Sequence, residues 1–220
     1  EEISKISEFK NLDISKINNF EKTSIFKDVK YVHHNAAKVP ITKAGSDFYN
    51  SNVIGTINVL EQCKKYKIEH ISHMSSSAIF GKPQNNENVN YNKYSPTSLY
   101  GKTKYLAEME VLKYQKNNFI KSSSIIRPRP VIGRGRLGIF QILFDWVKDD
   151  KRIPIIGDGN NLFQFANIDD LVEVSIETAI KKIPGKFNVG NEIYSTLKED
   201  LNASFAKIGS KSRVFPLKLD

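Results

Sequence analysis

Residues 68 to 81 read IEHISHMSSSAIFG. Ile68 and Ile71 stand among polar residues up to Met74, and the run closes on three serines and a turn ending at Gly81. This predicts a strand, Ile68 to Ser75, that delivers a cluster of hydroxyls at its carboxyl end. Downstream, YGKTKYLAE at 100 to 108 lies inside a long helical pattern over 98 to 116. Upstream, residues 42 to 66 read as a helix, with Val53, Ile57, Leu60 and Cys63 near helical spacing and Gly55 permitting close packing. Val29 to Ala37, VKYVHHNAA, reads as a strand rising to a small-residue turn. A third strand, Ser122 to Ile126, ends at Arg127-Pro128. Strand, helix, strand, helix, strand in this order predicts βαβ units and a parallel sheet in an α/β protein. Right-handed crossovers then cover both faces with helices, the doubly wound arrangement.

After Pro130 the texture changes, and Gly133, Gly135, Gly138, Gly157 and Gly159 punctuate shorter elements. A helix is expected near 138 to 149, then the strand IPIIG, a helix from Asp169, the strand KFNVG near 186 to 190 and a last helix over 196 to 208. The division predicted is a main domain over 1–130 and a smaller lobe over 131–220, with 185–190 returning to the main sheet. Ligands of open α/β sheets sit outside the carboxyl ends of the strands. The turns at Asn35–Ala37, Ser75–Ser77 and Pro128–Val131 are therefore expected to line one crevice.

Composition narrows the class. Hydrophobic residues at 40% and charged residues at 26% are ordinary for a water-soluble globular chain. No apolar run approaches the ~18 residues of a membrane span, and no charged-then-apolar leader opens the sequence. Cys63 is alone, which precludes an internal disulfide framework and fits a reducing cytoplasm. The net charge of +9 raises nucleic acid as a partner. The lysines, however, are spread among acids along the whole chain, as on a solvated surface. Arginine is absent before Arg127, and then Arg127, Arg129, Arg134, Arg136 and Arg152 follow closely. Arginine suits bidentate binding of phosphate or carboxylate, so this cluster is a candidate for a phosphorylated ligand, against the plainer reading of a basic surface. No zinc-finger or RNA-binding aromatic signature is present, and no nucleic-acid partner is expected. His33, His34, His70 and His73 lack an acidic or thiol neighbour at metal-ligand spacing and are read as structural, with no metal site.

Tyr100 and Lys104 carry the sharpest chemistry. Four residues apart on a helix, they share a face. An ammonium beside a phenol favours the phenolate and lowers a pKa otherwise about 10. Such a tyrosine takes a proton from an alcohol, or returns one to a carbonyl, near neutral pH. By itself the pair is also what an exposed amphipathic helix face looks like.

The surrounding segments decide between the two. LDIS at 12 to 15, HNAA at 34 to 37, NVIGTINVLE at 52 to 61, SSSAIFG at 75 to 81 and YGKTKYLAE at 100 to 108 occur in this order. RPRPVIGRGR at 127 to 136, GDGNNLFQFANIDDL at 157 to 171 and FNVGN at 187 to 191 complete the series. Together they resemble the extended short-chain dehydrogenase/reductases, the group of NAD-dependent nucleotide-sugar epimerases and dehydratases. The resemblance implies a Rossmann-type dinucleotide-binding domain with a C-terminal substrate-binding lobe. It implies Tyr100 as catalytic acid/base, Lys104 as the residue that binds the nicotinamide ribose and tunes that tyrosine, and Ser76 as donor to the reacting oxygen. Asp13 and Ile14 match the segment that meets the adenine. Asn35, Ala36 and Ala37 match the turn beneath the cofactor, where small side chains let the dinucleotide approach the backbone. Asn52 and Ser75 complete the interior of the cofactor site, and Pro128 and Val131 match the wall beside the nicotinamide. Ser77, Arg134 and Arg136 are candidates for the substrate.

Departures from the family shape the expectation. The G-x-x-G-x-x-G turn that opens the family has no counterpart, and the first matching segment is the third unit, at Asp13. Strands at 29 and 68 without their central neighbours leave an apolar edge, so a first βαβ unit is expected ahead of residue 1. The strand that selects between NAD and NADP belongs to that unit; NAD is the expected cofactor, with NADP open. Dehydratases carry an acidic pair where Ser77 and Ala78 stand here, so dehydration is not expected. Many sugar-nucleotide epimerases follow GDG with an arginine for the diphosphate, and Phe163 holds that place. The leading expectation is an epimerase acting at the sugar hydroxyl of a nucleotide sugar, in the family's manner, through a transient ketone and as a homodimer paired through the helices at 42–66 and 98–116. A net reductase or dehydrogenase of a non-sugar carbonyl or thioester is the alternative, and a non-catalytic dinucleotide-binding module the third.

Overall fold

Three short parallel strands form the frame on which the candidate site is built. The computed structural model describes residues 7, 9–21, 23–40, 47–82, 93–134 and 140–217. Helix α1 (Ile17–Glu21) precedes strand β1 (Tyr31–His34). Helix α2 (Asp47–Tyr49) runs through a π-helical turn, Asn50–Ile54, into α3 (Gly55–Lys65). Strand β2 (His70–Met74), a 3-10 turn over Ser77–Phe80, α4 (Leu99–Lys116) and β3 (Ser123–Pro128) come next. They are followed by β4 (Val131–Ile132), α5 (Phe140–Lys148), β5 (Arg152–Ile156), β6 (Leu162–Phe163), β7 (Ala166–Asn167) and α6 (Ile168–Ile180). Strands β8 (Gly185–Val189) and β9 (Ser195–Thr196), helix α7 (Leu197–Ile208) and strand β10 (Arg213–Leu217) complete the order.

The main sheet has the order β1-β2-β3-β8. β1 and β2 are parallel, with Tyr31 opposite His70 and His34 opposite His73. β2 and β3 are parallel, with Ile71 opposite Ser123 and Met74 opposite Ile126. Every residue of β3 and all of β2 except Met74 are buried, as central parallel strands covered on both faces must be. Alternation sorts the polar residues between the faces. His70 uses both ring nitrogens on the Ser122 and Ser124 hydroxyls, at 2.9 Å each, and Ser124 reaches Thr178 of α6 at 3.2 Å. His34 and His73 project from the other set of positions, and His34 pairs with Thr56 of α3 at 2.9 Å.

The chain divides into two units. The first comprises Glu1–Arg127 with Glu173–Asn188 and carries the main sheet. Its core joins Leu60 and Cys63 of α3, Ile71 of β2, Val111 of α4 and Ile125 of β3, all withdrawn from solvent. Each such aliphatic side chain contributes about 1.5–3 kcal/mol by burial. The second unit comprises Pro128–Val172 with Val189–Asp220. There β5 and β10 pair in parallel, and Val147, Ile153, Ile155, Leu201 and Phe205 form its core. A capping box opens α7, Thr196 and Glu199 bonding each other's backbone amides.

Several elements differ from the sequence expectation, among them α1 and the two-residue strands β4, β6, β7 and β9, for which no element was predicted. The helix expected over 42 to 66 is interrupted by the π turn at Asn50–Ile54, and its first residues, 42 to 46, lie outside the described residues. RVFPL, which carried no predicted element, is β10. Its Pro216 removes a donor, which an edge strand in a two-stranded pair tolerates.

Candidate active site

The carboxyl end of β2 meets one face of α4. Ser98 caps α4 by accepting the Gly101 amide at 3.0 Å, which fixes where the helix begins. Its first turn lies against the 3-10 turn, and a Cβ on Gly101 would stand 2.5 Å from the Ala78 carbonyl oxygen. Only glycine permits that approach. Gly81, which ends the turn, has φ +70°, and a Cβ there would meet the Ser95 carbonyl. These two glycines bring Ser76 to Tyr100. Ser76 accepts the Ala78 amide at 3.2 Å, leaving its hydroxyl hydrogen for the Tyr100 phenol, to which it is bonded.

Lys104 lies one turn along α4 from Tyr100 and is almost completely buried. Its Nζ donates to the Met74 carbonyl, two residues before Ser76. Burial pushes the ammonium down to about 8, opposed by the charge of Glu108. The phenol of Tyr100 moves the other way. Burial raises it above its ordinary 10, and the Ser76 hydrogen bond offsets only part of that rise. The expected lowering of the tyrosine by its lysine is therefore corrected, since the ammonium is directed to the Met74 carbonyl and burial dominates the phenol.

Asp13, Ile14, Ala36 and Ala37 line one cleft of about 460 Å³. That is within the size range of ligand pockets. Leu12, Lys38, Val39 and Ser51 complete its lining and were not assigned a role from the sequence, although Leu12 opens the matched segment LDIS and Lys38 directly follows HNAA. Ser15 bonds the Asp13 carboxylate through its hydroxyl at 2.7 Å and its amide at 3.0 Å, holding that carboxyl below its usual range. Asn58 of α3 donates to the Ile14 carbonyl at 2.8 Å and so fixes the cleft wall. Asn35 is exposed and is not among the residues lining the cleft. Asn52 is a brace behind it. Its carbonyl oxygen accepts the Lys38 amide at 2.7 Å, and its amide group donates to the Lys38 carbonyl at 3.2 Å and to Thr103 of α4 at 3.1 Å.

The remaining candidates are distributed more widely. Ser75 is buried and donates to Glu108. Ser77 is half-buried and begins the 3-10 turn. Pro128 ends β3, and Val131 opens β4, which pairs with β7. Arg134 is exposed, and Arg136 lies outside the described residues. Arg127 is removed from the phosphate candidates. It is 2% exposed and forms a two-point ion pair with Glu108, Nε to Oε1 at 3.0 Å and Nη2 to Oε2 at 2.6 Å. Arg129 is also engaged, its Nε donating to Gln164 at 2.9 Å. Phe163 packs at 4.8 Å from Phe165 and 6.3 Å from Phe140, within an aromatic cluster of the second unit. Among the described residues no three His, Cys, Asp or Glu side chains gather as a metal site.

Residues 1–190 match the NAD dependent epimerase/dehydratase family. An uncharacterized protein of Sinorhizobium fredii is 34% identical over 84% of this chain and 47% of its own length. A putative UDP-glucose 4-epimerase of Methanocaldococcus jannaschii is 30% identical over 94% of this chain and 72% of that protein. The chain thus spans from about half to about three quarters of these relatives. Among solved structures, the UDP-glucuronic acid 4-epimerase of Bacillus cereus in complex with NAD superimposes with a TM-score of 0.80 at 27% identity, over 92% of this chain and 67% of that one. With a match over residues 1–190 and a fold and segment order that agree with it, the chain belongs to the NAD dependent epimerase/dehydratase family.

Proposed function

We propose that this chain supplies the acid/base centre of an NAD-dependent enzyme that epimerises a sugar hydroxyl, the sugar being carried on a nucleotide. One observation carries the reading: the Ser76 hydroxyl is bonded to the Tyr100 phenol, with the buried Lys104 ammonium one helical turn away. The family match and the epimerases among its relatives support it. The cleft at Asp13, Ile14, Ala36 and Ala37 suits a dinucleotide. Its small side chains leave room against the backbone, and Asp13 offers a carboxylate that can accept from the adenine amino group. NAD, when bound, would accept a hydride from the sugar carbon and return it to the opposite face.

In this reading Tyr100 takes the hydroxyl proton at its phenolic oxygen and later gives it back, so the protein ends each turnover unchanged. Ser76 donates a hydrogen bond to the carbonyl oxygen that develops on the same carbon. Tyr100 acts as base near neutral pH only if its phenol is lowered from the value burial imposes. The Lys104 charge on the same face is the group of this chain suited to that task. Tyr100→Phe is expected to reduce turnover by about 10²–10⁴-fold while bound NAD, released by heating and identified by mass, is retained. An active Tyr100→Phe variant defeats the proposal.

Phe163 supports a second reading. Where many sugar-nucleotide epimerases of the family carry an arginine for the diphosphate, this chain packs an aromatic cluster. A net dehydrogenase or reductase acting on a less charged, non-sugar substrate fits that position better. Stoichiometric change in cofactor redox state during turnover supports it, and isomerisation without net change supports the epimerase.

The reading extends to a homodimer paired through α4 and the helical stretch 42–66, which includes α2 and α3. Leu99 and Leu106 of α4 and Tyr49 of α2 are 50%, 41% and 47% exposed, an apolar surface suited to such pairing. Light scattering at working concentration distinguishes dimer from monomer. No helix among the described residues is long and apolar enough to cross a membrane. With its lone buried Cys63, this suits a cytoplasmic enzyme.

A further inference from the structure

Tyr100, Lys104 and Glu108 stand at i, i+4 and i+8 of α4, and so on one face. Each holds one of three consecutive residues at the end of β2. Tyr100 bonds the Ser76 hydroxyl, Lys104 the Met74 carbonyl and Glu108 the Ser75 hydroxyl. The strand end is thus fastened to the helix face at three successive positions. The proposed acid/base centre uses two of these contacts, and the third is the least accessible, with Glu108 at 0% and Ser75 at 3% exposure.

Glu108 is itself held from the neighbouring strand. Arg127, on β3, bonds both carboxylate oxygens, and its Nη2 also reaches the Tyr94 hydroxyl at 3.0 Å. Its guanidinium lies 5.3 Å from the Phe80 ring centroid and 5.1 Å from that of Tyr94. The Ser75 amide donates to the Ile126 carbonyl at 2.7 Å. Ser75 is therefore fixed through its backbone to β3 and through its side chain to a carboxylate that β3 also holds. The residue that follows is Ser76.

We propose that Glu108 is a positioning residue for the Ser76–Tyr100–Lys104 centre, aligning Ser76 through Ser75 and serving as a counter-ion shared by Arg127 and Lys104. The inference rests on the function proposed above and adds a residue that touches none of the reacting atoms. The titratable groups around Lys104 among the described residues come from four elements. Tyr100 and Glu108 lie on its own helix, His73 on β2 and His34 on β1, and Arg127 of β3 acts through Glu108. Of these, Glu108 is the group whose charge raises the lysine's affinity for its proton.

The test compares Ser75→Ala and Glu108→Gln with the intact protein and with Tyr100→Phe, reading kcat, KM and the pH dependence of kcat. Ser75→Ala keeps the ion pair and removes one hydrogen bond. It is expected to fold normally and lose about tenfold in kcat with little change in KM. Glu108→Gln removes the counter-ion, and the limb of the pH profile that reports Lys104 deprotonation is expected to move to lower pH by about one unit. If Glu108→Gln does not fold, Ser75→Ala decides alone. Folded variants with unaltered kcat and an unshifted limb overturn the inference, even where their melting temperatures fall, because that pattern describes a purely structural ion pair. Full activity in Tyr100→Phe would instead remove the functional reading itself, so the two failures are distinguishable.

Discussion

His34 and His73 face each other across the β1–β2 pair with ring centroids 5.3 Å apart, and among the described residues neither nitrogen of His73 has a hydrogen-bond partner. Thr56 donates to the Asn52 carbonyl at 2.6 Å, so its oxygen receives the Nε2 proton of His34. Burial pushes His34 down to about 3 and His73 well below 6.5. The unfolded chain takes up these protons near pH 6.5, whereas the folded chain does not. Stability is therefore full above pH 6.5 and lost as the pH falls from there toward the His34 value of about 3. Each histidine steepens the loss by about 1.4 kcal/mol per pH unit. His73→Leu is expected to gain about 1–2 kcal/mol at pH 7.5 by removing two unsatisfied groups, and more at pH 5. Urea midpoints at the two pH values check this, and equal gains at both would contradict it.

The Lys104 ammonium, pushed down to about 8 by burial, gives the next expectation. The lysine is charged below that pH and neutral above it. If its charge lowers the Tyr100 phenol, kcat falls as the pH rises through about 8. Lys104→Arg stays charged throughout, so it is expected to be slower yet to lack that limb. A wild-type profile flat to pH 9.5 runs against the assignment.

The Arg127–Glu108 pair sets a stability expectation of a different kind. Both side chains are withdrawn from water, so removing one leaves the other charged and buried. Arg127→Met is expected to cost about 3–5 kcal/mol, and the double variant with Glu108→Met to recover most of that. If Glu108 also positions Ser76, the double variant regains stability without regaining turnover. Chemical denaturation and a rate measurement on the same preparations separate the two quantities.

The main strands and helices of the first unit were legible because their signals are local. IEHISHMS is a short run of strand length that closes on a serine-rich turn, and the long α4 pattern begins at a serine cap. Tyr100, Lys104 and Ser76 were legible through spacing and segment order. What stayed hidden depends on partners distant in sequence. Glu108 looks like an ordinary helix-surface acid until Arg127, from another strand, is placed against it. The direction of the Tyr100 shift follows from burial, which a sequence spacing does not report. Two-residue strands such as β6 and β9 carry no periodicity at all and arise from their pairing.

Gly101 offers a final test of how closely α4 must approach the turn at Ser76. In a helix, alanine is favoured over glycine by about 1 kcal/mol. Here, however, the added Cβ would stand 2.5 Å from the Ala78 carbonyl oxygen and 3.2 Å from Cβ of Pro96. Relief of that overlap has to separate the helix from the turn, lengthening the contact between Tyr100 and Ser76. Gly101→Ala is expected to destabilise by about 1–3 kcal/mol and to lower kcat by at least about tenfold. Gly209→Ala provides the comparison. It lies at the end of α7 with φ +68° and open space around its Cβ position, so it introduces only backbone strain. That change is expected to cost about 1 kcal/mol with kcat unaffected. Equal losses of kcat in the two variants would show that turnover follows overall stability rather than the approach of α4 to Ser76.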